Sequence, residues 1–396
     1  MKYASIIPLI GGETIAMQNA FGQRPEYILS YEAFAQNDRH ILEYYNNEVP
    51  YYLLDNRQVH NLSSVDVVNT VCPCAGLSSL SPTSNSDSTT NDWMLESANY
   101  VLGTVSPRVF WGENAPRLAS KMGEPVVKKL RAIGDKYGYT LSIFKTKSLL
   151  HGLSQVRDRS FYFFWKGKEI PVFNYFNREK ESIEDLIRSV PRDPADKMNV
   201  LTNTRKPSQN PYYHYVLEEM EDGITHVEFA KKIDKTLNPM DHIENAGISY
   251  MTVSKWMEKK GYQKEAERCK IIYDKLNRGG NIMRKLVTIP KGHIGAFVGH
   301  LPTQLAHPDE DRFLTIRECL SIMKMPLDFQ LQGGIRNINH ICQNVPVTTA
   351  TDMAGQVKLF LDGKLKTVEA PFAIQDNKAQ KIEFTKESLQ LDTFMV

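Results

Sequence analysis

A thiol, a carboxyl and two guanidiniums stand in that order beside apolar runs of this chain. Cys74 follows Val71-Cys72-Pro73, at the end of the run Val65 to Val71, and opens a loop rich in Ser and Thr. Thirty-nine residues on, Val109-Phe110-Trp111-Gly112 ends in Glu113-Asn114-Ala115-Pro116. Further along, Gln155-Val156-Arg157-Asp158-Arg159 leads into Ser160-Phe161-Tyr162-Phe163-Phe164-Trp165. A Cys after a strand is more often an inert, half-buried thiol than a reactive one. The company it keeps changes that reading. A thiolate is intrinsically nucleophilic and partly ionised near neutral pH, and acid and cationic donors stabilise charge that its addition creates.

Pro73-Cys74, Glu113-Asn114 and Gln155-x-Arg157-x-Arg159, in this order, resemble the DNA cytosine-5 methyltransferase family. C5 of cytosine is a poor nucleophile until a group adds at C6, and the resemblance implies that Cys74 is that group. Glu113 stands at the family's position for the acid directed at N3, and Arg159 at that for the donor to O2. Arg157 is expected to organise the site. The activated C5 attacks a sulfonium methyl, and loss of the C5 proton expels the thiol. The target atom is buried in duplex DNA, so the base must be flipped out at a cost of a few kcal/mol.

The elements needed to position these groups are legible. Tyr3-Ala4-Ser5-Ile6-Ile7-Pro8-Leu9-Ile10-Gly11-Gly12, then a helix pattern from Glu13 to Phe21 closed by Gly22, form a strand, glycine turn and helix. Backbone N–H groups in such a unit approach a ligand closely. The strand-like stretch Tyr27 to Tyr31 ends in Glu32, which is either a solvated strand-end residue or a carboxylate for ribose hydroxyls. The resemblance favours the ribose. In the family a Phe and a Gly stand where Ile7 and Leu9 stand here. Asn339 to Val347 resembles the last family motif, with Cys342-Gln343 in place of Gly-Asn. Ile7, Gly11, Gly12, Glu32, Pro73 and Gln343 are therefore the expected contacts of the donor, S-adenosylmethionine. Gln343 offers two N–H groups that could hold a carboxylate on a modified donor such as carboxy-S-adenosylmethionine; repacking around the ordinary donor is the alternative. A catalytically silent DNA-binding homologue is the reading from another class.

At 396 residues the chain suits two domains, and 41% hydrophobic with 24% charged residues is ordinary for a soluble globular protein. No run of about 18 apolar residues exists, which excludes a membrane span, and the short apolar N-terminus lacks a signal-peptide cleavage site. Five scattered Cys fit neither a disulfide framework nor a zinc site, so no metal is expected and the compartment is reducing, most simply a bacterial or virus-directed cytoplasm. A monomer is expected.

The resemblance implies an α/β fold: a Rossmann-like catalytic domain with a mainly parallel sheet, and an inserted smaller target-recognition domain. The expected boundaries are 1–176 for the cofactor and cytosine pocket, 177–305 for target recognition, 306–361 for the return to the catalytic domain, and 362–396 for an extension. The stretch 76–91 reads as a lid over the extruded base or as a flexible linker. Arg317-Glu318 matches a family motif and is expected to order the junction between domains. Hairpin strands are expected at Lys364 to Phe372 and Lys381 to Phe384.

Net charge is only +2, but residues 255–291 hold 11 Lys and Arg against 4 Asp and Glu. The surplus is either a solvated face or the contact with double-stranded DNA, and the expected contacts are Ser78, Lys255, Lys259, Lys260, Arg268, Arg284 and Lys285. Thr252 is expected to cap a helix from Val253 to Lys260, and a second helix runs from Gln263 to Arg278. They form either a DNA-reading pair or an ordinary helical hairpin. Candidate strands follow at Lys285 to Ile289 and Ile294 to Val298.

Overall fold

The computed structural model describes residues 1–56, 61–73, 76–78, 85–284 and 286–385. Cys74, Lys285 and residues 79–84 of the expected lid lie outside the described residues. The chain divides into two compact units: 1–180, 323–332 and 340–396 in the first, 181–322 and 333–339 in the second.

The first unit is built on a nine-stranded sheet. Its strands are β1 (Tyr3–Ile6), β2 (Ile28–Ser30), β3 (Tyr51–Leu53), β4 (Val67–Val71), β5 (Val109–Asn114), β6 (Tyr139–Lys147), β7 (Asp158–Lys166), β8 (Phe372–Asp376) and β9 (Lys381–Thr385). Across the sheet they run β9-β8-β6-β7-β5-β4-β1-β2-β3. Strands β3, β2, β1, β4 and β5 are mutually parallel, whereas β7 is antiparallel to both β5 and β6. That reversal brings the start of β7 to the edge where β1, β4 and β5 end. A Rossmann-like sheet places ligands at this carboxyl edge.

Helices α1 (Gly12–Phe21), α2 (Ala35–Tyr44), α3 (Asp92–Tyr100) and α4 (Glu124–Tyr137) flank the sheet. Apolar residues on both faces explain why the strand sequences read as runs rather than as strict alternation. Ala4, Val68, Phe110, Tyr162 and Phe164 pack in one core with Met94, Ala98 and Leu130 of α3 and α4. On the other face, Thr14 of α1 donates to Ser5 (2.9 Å), which donates to Asn69 (2.7 Å). Trp165, on the Trp111 and Phe163 face, meets Phe360 of the helix Val347–Leu361, and that helix packs against α1.

The expected extension is part of the sheet. Strand β8 lies parallel to β6, and β9 pairs with it as a hairpin. Of the earlier expected strand, Lys364 to Phe372, Thr367–Glu369 is extended and pairs with Glu169–Pro171, and Phe372 opens β8.

The second unit is mainly helical. The expected helix at 253–260 begins earlier, as α5 (Tyr250–Lys259), because the Ser249 side chain accepts from the Met251 N–H (3.2 Å) and caps it in place of Thr252. The second expected helix, α6 (Gln263–Asn277), buries Ala266, Cys269 and Ile272 and packs on α5. The two expected strands shrink: Thr288 and Ile289 make isolated bridges, and Ile294–Gly295 alone is extended in the other. The return to the first unit comes at Met323 rather than at 306. Arg317 and Glu318 are held within the second unit. Arg317 pairs with Asp196 (2.6 Å), while Glu318 takes Arg312 (2.7 Å) and the Thr315 N–H (2.7 Å).

No helix among the described residues is long and apolar enough to cross a membrane. No cluster of three metal-ligating side chains occurs among them either.

Candidate active site

Register sets the centre of the site. Val71 of β4 lies opposite Glu113 of β5, and Glu113 lies opposite Phe161 of β7. Glu113 is 1% exposed, and the Arg159 guanidinium is in direct contact with its carboxylate. Gly112 makes this arrangement possible. A Cβ there would fall 2.5 Å from Thr70 Cγ2 and 2.6 Å from Tyr162 Oη, so only glycine lets β5 lie between its neighbours.

Arg157 is equally buried, and its Nη2 donates to the Cys342 carbonyl (2.9 Å). It thereby ties the start of β7 to the Asn339–Val347 segment, while Arg159 meets the acid. Two neighbouring arginines thus do different work.

Of the two thiols of Cys72-Pro73-Cys74, the structure describes Cys72. Cys72 is buried beneath the site, with Thr70 Oγ1 at 3.4 Å and Tyr162 Oη at 3.9 Å. Burial pushes its thiol above the usual range, against hydrogen bonds that lower it. It is held as an unreactive thiol.

Beside this centre runs the turn from β1 to α1. Ile7 and Leu9 both have positive φ (50° and 51°), a conformation that costs a side chain energy and that glycine adopts freely. Leu9 therefore keeps a left-handed backbone where the resembled family has Gly. Ile7 is fully buried in the core. Gly11 (φ 93°) caps α1, and Gly12 lies so close to Asn344 that a Cβ would sit 3.0 Å from its Nδ2. Glu32 follows β2 and is exposed, with its N–H bonded to Asp55 (2.6 Å). Gln343 is anchored to α2 through Asn37, whose Nδ2 donates to its Oε1 (2.7 Å).

Two residues absent from the expected set stand out. Asn344 is 1% exposed with neither amide atom hydrogen-bonded, and Glu13 is wholly buried, its carboxylate met by no hydrogen bond from another residue. Burial and the Glu113 carboxylate push Glu13 well above the ordinary carboxyl range, while its own backbone N–H, Arg157 and Arg159 pull it down. Asn344 sits inside the recognisable Asn-Val-Pro; nothing in the sequence distinguishes Glu13 from a solvated first-turn acid.

The sequence pattern of the C-5 cytosine-specific DNA methylase family matches residues 1–359. The chain belongs to that family. The methylase has the fold of several solved structures. A protein described as a DNA modification methyltransferase, encoded within an E. coli prophage, is 12% identical with a TM-score of 0.59, over 91% of this chain and 99% of that one. The Entamoeba histolytica methyltransferase EhMeth is 11% identical (TM-score 0.51; 91% and 98% covered). The S. pombe Dnmt2 methyltransferase is 12% identical (TM-score 0.51; 92% and 99%). No curated protein matches the sequence of the methylase. Family membership makes it a DNA cytosine-5 methyltransferase and implies S-adenosylmethionine as donor. Strands β8 and β9 lie beyond the matched residues.

Of the expected DNA contacts, Lys255, Lys259 and Arg268 are exposed and enter no ion pair among the described residues. Lys260 pairs with Glu218, and Arg284 with Glu244 (2.8 Å). Ser78 is half-buried, and its carbonyl accepts from Arg117 (3.5 Å).

Proposed function

We propose that the methylase converts cytosine in double-stranded DNA to 5-methylcytosine by covalent addition of Cys74 to C6 of a flipped base. The observation that carries this reading is the buried Glu113–Arg159 contact at the carboxyl edge. It lies one strand from the end of β4, and Pro73 and Cys74 follow that end by two and three residues in the chain. Glu113 donates to N3 as the thiolate adds, and Arg159 receives charge at O2. Withdrawing that charge makes C5 nucleophilic. Arg157 orders the site through the Cys342 carbonyl.

S-adenosylmethionine supplies the sulfonium methyl when bound. The residues of the β1 edge fit it. Exposed Glu32 suits the ribose hydroxyls, and the α1 N-terminus at Gly11-Gly12, with the unsatisfied Asn344 amide beside it, suits the carboxylate of the amino-acid part. Gln343, bonded to Asn37, has a packing role consistent with the ordinary donor rather than carboxy-S-adenosylmethionine. In the second unit, Lys255, Lys259 and Arg268 make the phosphate contacts.

An oligonucleotide carrying 5-fluorocytosine tests the reading, because fluorine blocks the final elimination and traps the adduct. Wild type and Cys72→Ala should be trapped, Cys74→Ala should not, and nucleosides from treated DNA should contain 5-methylcytosine. Trapping that survives in Cys74→Ala and disappears in Cys72→Ala would assign the nucleophile to the wrong thiol.

A further inference from the structure

A cavity of about 400 Å³ opens at the carboxyl edge, where β7, β6 and β8 end beside the catalytic centre. Its lining brings four cations, Lys145, Lys147, Arg159 and Lys378, and two carboxylates, Asp158 and Asp376. Lys145 and Lys147 alternate with Thr146 at the end of β6, so they share one face of the sheet. Arg159 lies on the other face, as the register partner of Thr146. The cavity joins the two faces where the strands stop, and Thr146 and Arg159 form part of its wall.

The β8–β9 turn completes it. Strand β8 sets Asp376 opposite Lys145, whose Nζ meets that carboxylate at 2.8 Å. Asn377 is buried and pins the turn: its N–H donates to the Lys145 carbonyl (2.9 Å) and its side-chain amide to Thr146 Oγ1 (3.0 Å). Asp376 also accepts from the N–H groups of Lys378 (3.0 Å) and Ala379 (3.1 Å), which fixes Lys378 at the rim. Two of the cations are firmly paired, Lys145 with Asp376 and Arg159 with Glu113. The other two are open. Lys147 stands 3.6 Å from an Asp158 side chain that is 53% exposed, and Lys378 enters no ion pair among the described residues. An anion between these two ammonium groups would relieve their repulsion.

We propose that this cavity seats a phosphodiester of the target strand beside the flipped cytosine, held by Lys147 and Lys378. The inference rests on the proposed placement of the ring at Glu113 and Arg159. In cytosine, C2 bears O2 and is bonded to both N3 and N1, and N1 carries the sugar. With Glu113 at N3 and Arg159 at O2, the sugar and its phosphates leave the ring on the Arg159 side, where the cavity begins. A phosphodiester carries a full negative charge and suits ammonium groups, which act as point charges. Flipping turns the nucleotide about its backbone, and a clamped phosphate beside it holds the backbone in the turned state. The seat also gives the β8–β9 hairpin a task, since its strands lie beyond the residues matched by the family pattern.

The experiment is a binding cycle on a duplex containing one cytosine that the enzyme methylates. The phosphates flanking that cytosine on its own strand are replaced one at a time by uncharged methylphosphonate. In wild type, one replacement should weaken binding roughly tenfold. The same replacement should cost the double variant Lys147→Ala/Lys378→Ala nothing further. That variant should bind the unmodified duplex about tenfold more weakly, with a salt slope lower by about 1. Lys147→Arg/Lys378→Arg keeps both charges and should retain the wild-type pattern. Replacements that cost wild type and the alanine variant equally would overturn the proposal, because the lysines would then act only through the general field. Unchanged binding and salt slope in the alanine variant would overturn it too. The covalent reading is judged apart from the seat: loss of 5-fluorocytosine trapping in wild type, with the coupling intact, refutes Cys74 addition alone.

Discussion

Asn344→Ala should move two measurable quantities in opposite directions. The Asn344 amide is buried against Gly12, with neither its oxygen nor its nitrogen hydrogen-bonded. Leaving a buried polar group unsatisfied costs about 1–3 kcal/mol. Alanine removes that cost but leaves a small void worth roughly 1 kcal/mol. The ligand-free enzyme should therefore gain about 1 kcal/mol, read as a higher urea midpoint with an unchanged slope. If the amide donates to the carboxylate of S-adenosylmethionine, the variant loses a hydrogen bond to a charged group, worth about 1.5–3 kcal/mol. That is roughly 10- to 150-fold in Kd, measurable by calorimetric titration. A variant that is less stable without ligand, yet binds the donor as tightly as wild type, would refute both halves of the reasoning.

Asp38 tests the electrostatics beside the turn from β1 to α1. Burial pushes its carboxyl up to about 7, against hydrogen bonds from Ser30, Tyr51 and the Leu9 backbone. A carboxyl raised on folding contributes stability that is full below its unfolded value and lost as pH rises through the folded one. Asp38→Asn should thus gain on wild type between pH 4 and pH 8, by up to about 4 kcal/mol, in chemical denaturation at the two pH values; an equal difference at both would count against a buried titrating carboxyl. In the second unit, replacing Lys255, Lys259 and Arg268 together by Ala should weaken binding to all duplex sequences and lower the salt slope by about 3. An unchanged slope would place these cations on an idle face.

Much of the centre of the site was legible because strand ends are. Val65 to Val71 and Val109 to Gly112 could only be buried strands, so Glu113 had to lie at an edge. The antiparallel β7 then carries Arg157 and Arg159 to that same edge. Glu13 was not legible. A Glu after two glycines reads as a solvated partner of the helix dipole, and only packing of α1 on the sheet buries it. The Arg317-Glu318 motif was recognised, but its membership in the second unit depends on Asp196 and Arg312, which local pattern cannot pair with it. The tail was misread for a related reason. The expected run Lys364 to Phe372 divides between a short strand at Thr367–Glu369 and the start of β8, and the division is set by their pairing with Glu169–Pro171 and with β6.

The bond between Asn37 and Gln343 joins residues 306 positions apart, and His40 meets His340, 300 positions away (2.9 Å). Closing a flexible loop of this size carries an entropic cost of about 5 kcal/mol, so these contacts form late in folding, after the strands that precede them. On the proposed reading, the donor binds where those distant segments meet. It would therefore act as a clasp on the assembled chain, slowing the separation of the segment 340–347 from α1 and α2. Saturation with S-adenosylmethionine should accordingly protect both segments together from amide hydrogen exchange, and a donor-free enzyme should release them as one cooperative unit.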